Sequence, residues 1–271
     1  MKNLKKGIIL TMLGLIGVIV LVGCGGPDKN TQSNIGIQKI KDRGILKVGV
    51  KEDVPKFGFK NPQTGEYEGM EIDMAKAMAK SILGDEKKIE FTPVTTKTRG
   101  PLLDNGEVDI VIATFVINEE RLKSYNFSTP YYEDHEGLLV TKKGGIQSIK
   151  DLNNQNIAVP QAAVTKAIIE DAAKKAGIRV KCIEFGTYPE CRAALLAGRV
   201  SAMSTDCSIL LGYQDENTVL LPDRYSKMEY GIATKKDNKD LAKTIDDTVK
   251  QMKESGELKK IWDKWGLDAI K

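Results

Sequence analysis

The sequence predicts an α/β protein of two lobes, each a mostly parallel sheet flanked by helices. Three observations predict it. Apolar runs of strand length alternate with helical periods, the order that builds parallel sheets. The run Asp109-Ile110-Val111-Ile112-Ala113 is apolar without alternation, as a strand covered on both faces is. With the N-terminal segment set aside, the 271-residue chain still holds enough for two lobes of ordinary size.

Lys2, Lys5 and Lys6 precede an apolar run from Gly7 to Val22, and Leu21-Val22-Gly23-Cys24 has the form of a lipoprotein cleavage site. Residues 1–23 are therefore taken as a lipoprotein-type signal peptide and excluded from the fold, with Cys24 as the lipidated residue. The apolar run is slightly short for a membrane span. Whether cleaved or retained, it holds the domain outside the cytoplasm and at the membrane. Residues 24–37 are rich in Gly, Asn, Ser and Gln and form a flexible tether.

The first lobe is expected over residues 38–139. Ile37 to Asp42 is an amphipathic lead-in, and Ile45 to Val50 a strand. Phe57 to Phe59 and the turn Asn61 to Gly65 make a hairpin-like excursion. Glu71 to Leu83 is a helix, with Ile72, Ala75, Met78, Ala79 and Ile82 facing the core and Gly84 as its stop. Ile89 to Val94 is a strand and Arg99 to Asn105 a helix. After the strand at Asp109, Asn118 caps a short helix with Glu120 in its first turn. Glu136 to Thr141 is a strand leaving this lobe.

The second lobe is expected over 140–230. It holds a short helix at Ile149–Leu152, strands at Asn156–Val159, Val180–Glu184 and Ser201–Thr205, and helices at Thr165–Ala176 and Pro189–Ala197. Residues 231–271 return to the first lobe. There Leu241, Ile245, Val249 and Met252 keep helical spacing, and Leu258, Ile261, Trp262 and Trp265 pack a last helix.

Composition excludes several functions. The formal charge is +4, and removal of the three signal lysines leaves about +1, without the basic stripe of a nucleic-acid binder. Three cysteines remain after Cys24, with no CxxC pair, and His135 is the one histidine. That disfavours Cys/His zinc sites and His-dependent nucleophilic catalysis. A Cys182–Cys191 disulfide is open to an extracellular chain. Carboxylate pairs such as Glu52-Asp53 lack acid–base spacing. No enzyme activity, cofactor or metal is expected.

The candidate site lies beyond the carboxyl ends of the strands, where open α/β sheets bind ligands. Thr114 to Arg121 occupies such a place, and Arg121 offers a planar fork for a carboxylate. The run Ala113-Thr114-Phe115-Val116-Ile117-Asn118-Glu119-Glu120-Arg121, followed by Phe127-Ser128-Thr129-Pro130-Tyr131, resembles the pattern of the bacterial extracellular solute-binding proteins of family 3. These feed polar amino acids to ABC transporters. The resemblance covers essentially the whole mature domain. It implies the type II periplasmic-binding-protein fold with two hinge strands, the return strand being Tyr230–Thr234.

The resemblance also implies the site residues. Arg121 holds the ligand's α-carboxylate, aided by backbone N–H groups at Val116 and near Val164-Thr165. Asp206, at the family's aspartate position, holds the ammonium. Val48-Gly49-Val50-Lys51-Glu52-Asp53-Val54-Pro55 and Lys97-Thr98-Arg99-Gly100-Pro101-Leu102-Leu103 resemble the aspartate/glutamate-binding branch. There Lys51 and Arg99 hold the side-chain carboxylate, Thr114 and Tyr188 assist, and Ser204 lies close by. Lys51, Arg99, Arg121 and Asp206 carry two net positive charges, which an acidic amino acid complements better than a neutral one. Glutamine and cystine are the alternative ligands. An extracytoplasmic enzyme on the same fold, such as a cyclohexadienyl dehydratase, is the alternative of another class and needs a general acid in the cleft.

The implied partners are free aspartate or glutamate, an ABC permease, and the membrane through Cys24, with a monomer as the expected state. Some positions depart from the pattern. Val116 stands where the family has Ser or Thr, which removes a hydroxyl worth about 1 kcal/mol net. Ala162-Ala163-Val164 replaces a Gly-Thr loop and leaves Thr165 to supply the hydroxyl. Cys207 beside Asp206 has no explanation in the sequence.

Overall fold

The structure is a computed structural model and describes residues 35–267. The signal segment, Cys24 and the tether up to residue 34 lie outside the described residues.

The chain opens with α1 (Ile35–Arg43) and β1 (Leu46–Val50). β2 (Asp53–Val54), β3 (Gly58–Lys60) and β4 (Tyr67–Glu68) form a small antiparallel sheet, the expected excursion. α2 (Met70–Leu83) stops at Gly84, whose φ of 74° is the left-handed cap that glycine adopts without a Cβ penalty. β5 (Ile89–Pro93), α3 (Arg99–Asp104), β6 (Ile110–Ile112), α4 (Glu119–Ser124) and β7 (Tyr125–Phe127) follow. The far end of the chain supplies β14 (Ala233–Lys235), α8 (Lys239–Glu254) and α9 (Glu257–Trp265). These elements build a five-stranded sheet in the order β5-β1-β6-β14-β7. β5, β1 and β6 run parallel, and β14 pairs antiparallel with both β6 and β7.

The second sheet is built from β8 (Tyr132–Thr141), β9 (Gln155–Pro160), β10 (Val180–Phe185), β11 (Ala202–Asp206), β12 (Thr218–Leu220) and β13 (Tyr225–Tyr230). Its order is β10-β9-β11-β8-β12, with β13 also on β8. β10, β9 and β11 are parallel; β8 is antiparallel to its three neighbours. Helices α5 (Thr165–Lys175), α6 (Tyr188–Leu196) and α7 (Cys207–Tyr213) follow β9, β10 and β11. Both sheets are therefore mixed, with three parallel strands on one side and antiparallel strands on the other.

The connection between the sheets differs from the sequence expectation. β8 begins at Tyr132, four residues before Glu136, because Tyr132 to Asp134 pair with Met228 to Tyr230. The expected return strand Tyr230–Thr234 is broken in two. β13 ends at Tyr230 and β14 starts at Ala233. The break falls at Gly231, where a Cβ would meet Ile117 at 2.8 Å, so the chain changes sheets at a residue without a side chain.

Burial follows the periods. Val48, Val50, Ile110 and Ile112 are buried under the α2 face formed by Ile72, Ala75, Met78, Ala79 and Ile82. A separate cluster in the second lobe gathers Leu138, Val140, Ile157, Val159 and Ile169. Trp262 and Trp265 pack against the first-lobe core, and Trp265 Nε1 donates to Asp73 at 2.8 Å.

Candidate functional site

The first-lobe wall is made by chain that has just left its strands. β1 ends at Val50 and delivers Lys51; β6 delivers Ala113 and Thr114. Thr114 sits at φ 45°, an uncommon conformation for a β-branched residue. Its N–H donates to Glu71 Oε1 at 2.6 Å, and Tyr131 Oη donates to the same oxygen at 2.5 Å. Glu71 is fully buried. Burial pushes its carboxyl up to about 7, against the lowering effect of those two donors and of Lys51 and Arg99.

Two guanidiniums share the Phe115 ring. Arg99 opens α3 and is buried. Its Nη1 donates to Ala113 O at 2.7 Å and Thr114 O at 3.1 Å, and its guanidinium carbon lies 4.1 Å from the ring centroid. Arg121 is placed by the Asn118 cap, whose side chain accepts from Arg121 N at 2.8 Å. Its guanidinium carbon lies 4.9 Å from the same ring. Arg121 Nη1 donates to Val116 O at 2.8 Å, and Nη2 reaches Ala162 O of the second lobe at 3.3 Å. Burial, then the charge of Arg99, lower the Arg121 pKa to about 10. Among the described residues neither arginine has a carboxylate within ion-pair distance, and Arg99 Nε is buried without a partner.

Lys51 differs. It is 1% exposed and lies 3.0 Å from Asp53 Oδ1. Burial lowers its pKa, and Asp53 opposes that. Its ammonium also sits 4.7 Å from the ring centroid of Tyr188, which belongs to the second lobe. Tyr188 is held there by a capping box: Thr187 Oγ1 accepts from Glu190 N at 3.3 Å, and Glu190 Oε2 accepts from Thr187 N at 3.0 Å.

The second-lobe wall is acidic. Asp206 ends β11 and accepts from Thr205 Oγ1 at 3.2 Å and from the Tyr230 hydroxyl. Tyr230 Oη also reaches Asp134 Oδ2 at 3.2 Å, and Asp134 takes the Ser208 N–H at 3.1 Å and the Ser208 hydroxyl. Glu136 accepts from Thr165 Oγ1 at 3.1 Å and lies 2.8 Å from Ser204 Oγ. Burial raises all three carboxyls. Asp206 is pushed up to about 6, first by burial and then by Asp134; Glu136 goes well above its ordinary range, first by burial and then by Asp206.

Lys51, Arg99, Thr114, Arg121, Tyr188 and Asp206 thus come together where the lobes meet. Val116 and Val164 line an opening of about 430 Å³ with Ile117 and Asn118. Thr165 and Ser204 are fully buried and their hydroxyls engage Glu136, so the hydroxyl expected from Thr165 already has an acceptor. Cys182, Cys191 and Cys207 are free thiols.

Sequence reasoning missed Glu71, Asp134, Glu136, Tyr230 and Phe115. For Glu71 a signal existed. It precedes Ala75, Met78 and Ile82 at helical spacing, an acid on the buried face of α2.

Known proteins resemble this chain in sequence and fold. The model of the bacterial extracellular solute-binding proteins, family 3, matches residues 46–268. The chain belongs to this family. It is 39% identical over 270 residues to the ABC transporter glutamine-binding protein GlnH of Bacillus subtilis, covering 97% of each. It is 31% identical over 280 residues to the glutamate-binding protein GluB of Corynebacterium glutamicum, covering 98% of this chain and 92% of that one. The crystal structure of the ancestral amino acid-binding protein AncCDT-1, a precursor of cyclohexadienyl dehydratase, matches with a TM-score of 0.75 at 33% identity, over 84% of this chain and 98% of that one. The fold is the two-lobed type II periplasmic-binding-protein fold. The protein is an amino-acid-binding component of an ABC transporter.

Proposed function

We propose that this family member captures an acidic amino acid, aspartate or glutamate, between its lobes and delivers it to a permease. The observation that carries this is the pair of guanidiniums on the Phe115 ring, buried Arg99 and half-buried Arg121, neither with a carboxylate partner among the described residues. Buried cations are stable when paired. A dicarboxylic amino acid supplies two anions, one for each. Arg121 takes the α-carboxylate, Arg99 takes the side-chain carboxylate beside Thr114 and Tyr188, and Asp206 takes the ammonium. Lys51 adds field but no unpaired charge, because Asp53 lies 3.0 Å away.

Arg121 and Lys51 already reach second-lobe groups, so ligand charge on both walls favours the closed state and shifts the hinge equilibrium toward it. The reading includes a lipid anchor at Cys24 and binding without turnover. Incubation with prephenate should yield no product.

A second reading is glutamine. It is favoured by the Lys51–Asp53 pair, which reduces the charge open to a ligand, and by the similarity to GlnH. Titration calorimetry of the full chain in detergent, against all common amino acids and cystine, separates the two. Binding of glutamate or aspartate more tightly than glutamine supports the acidic ligand. Tighter binding of glutamine sinks it and leaves the transport role.

A further inference from the structure

Glu71 is a charged group of the cleft that the ligand contacts above leave unused. It is fully buried at the start of α2. Its Oε1 takes the Thr114 N–H and the Tyr131 hydroxyl; its Oε2 is buried without a partner. The charged and titratable groups facing it are Tyr131, Lys51 and Arg99. Asp53 sits on Lys51. At this end of the cleft the formal charges of Lys51, Arg99, Asp53 and Glu71 therefore cancel when Glu71 is ionised. They leave one positive charge when Glu71 carries a proton. An amide side chain suits the first condition and a carboxylate the second.

We propose that Glu71 sets which side-chain charge the cleft accepts, and that capture of glutamate or aspartate takes up one proton from solvent at Glu71. The proposal rests on the ligand reading above and adds the residue that tunes it. Burial holds the Glu71 carboxyl at about 7, so both forms are populated near neutral pH. A ligand carboxylate nearby favours the protonated form. The acidic cluster of Asp134, Glu136 and Asp206 also titrates, but it faces the ammonium end, which glutamate and glutamine share. The ratio of their affinities therefore isolates Glu71.

The test titrates the full chain in detergent with glutamate and with glutamine, from about pH 6 to about pH 8, in two buffers of different ionisation enthalpy. The glutamate Kd should rise about tenfold relative to the glutamine Kd across that range, with close to one proton taken up per glutamate at the upper end. In Glu71→Gln the ratio should stay flat. Tyr131→Phe removes a donor that favours the ionised form, and should move the midpoint upward. A flat ratio in the unmodified protein, or a slope that persists in Glu71→Gln, overturns the proposal. If Glu71→Gln does not fold, absence of proton uptake in the unmodified protein overturns it alone. If glutamate binds at no pH while glutamine binds, the ligand reading fails. Glu71 is then judged separately: gain of glutamate binding in Glu71→Gln supports its role, and no gain overturns it.

Discussion

Glu71 and Arg99 hold Thr114 from opposite sides of its backbone. Glu71 accepts the Thr114 N–H at 2.6 Å, and Arg99 donates to the Thr114 carbonyl at 3.1 Å. Between them Thr114 keeps a φ of 45°. Such strain costs on the order of 1–3 kcal/mol and persists where the surroundings over-determine it. Here two charge-assisted hydrogen bonds do so. The turn they fix carries the chain from β6 to Phe115 and Val116. It therefore sets the ring beneath both arginines and the carbonyl that holds Arg121.

The two arginines should separate in mutants. Arg121→Ala removes the group for the α-carboxylate, so every amino acid should lose about 2–5 kcal/mol of binding. Arg99→Ala should cost glutamate and aspartate a similar amount and glutamine much less. Calorimetry on both variants checks this. Equal losses for all ligands in Arg99→Ala would assign Arg99 to the scaffold.

Stability should fall as pH rises through the weakly acid range. The Asp206 carboxyl is raised from 3.8 to about 6, and that of Glu71 from 4.5 to about 7. Raised carboxyls hold protons in the folded state that the unfolded chain has released. Their contribution is fully present below their unfolded values and is lost as pH passes through about 6 and about 7. Asp151, Asp215 and Asp246 are lowered and act oppositely, but below the ordinary carboxylate range. Thermal melts without ligand should therefore show Tm declining from about pH 4 to about pH 7. The ligand ammonium offers Asp206 a counter-charge, so the Tm increment from glutamine, which calls for no proton at Glu71, should grow over the same range. A ligand-free Tm that climbs steadily would contradict the sign.

Local pattern carried much of this fold. The α2 face, the Gly84 stop, the Asn118 cap and the β1 and β6 strands are all local features, and the structure shows each. The start of β8 was hidden because Glu133, Asp134 and His135 do not look like strand. Asp134 is buried there by partners far away in the chain, Ser208 and Tyr230. α7 follows β11 without a spacer, so no turn marks its start. That Lys51 follows β1, that Arg99 opens a helix and that Arg121 lies just inside the helix capped by Asn118 was legible in the sequence. Their electrostatic setting was not. Glu71 meets Thr114 across 43 residues, and Thr165 meets Glu136 across 29. Such contacts arise from tertiary packing, which no local period encodes.

Asp53 should act as a brake on acidic ligands. Lys51 is nearly inaccessible and Asp53 is its close partner. Asp53→Asn keeps the shape and removes the charge, freeing Lys51 for a ligand carboxylate. Preference for glutamate over glutamine should rise by about tenfold, with a loss of stability from the unpaired buried ammonium. Lys51→Met should move the preference the other way. An unchanged preference in both variants would show that the pair is structural.

Packing behind Asp206 is the last test. Gly137 lies on β8 opposite Thr205, and a Cβ there would meet Cys207 Sγ at 2.6 Å and Leu210 and Leu220 at 3.2 Å. Cys207 thus fills the space that the missing side chain leaves, which accounts for a small residue beside Asp206. Burial pushes its thiol up to about 12, so it is not a reactive nucleophile at neutral pH. Gly137→Ala should cost about 1–3 kcal/mol through overpacking. It should also weaken binding, because Glu136 and Asp206 are the next pair along the same two strands. Cys207→Ala opens that space, so the double variant should recover part of both losses, with a coupling of about 0.5–3 kcal/mol. Denaturant melts and ligand titrations of the four proteins in the cycle measure it. Strict additivity would mean that the two side chains do not share the space, and Cys207 would again lack an explanation.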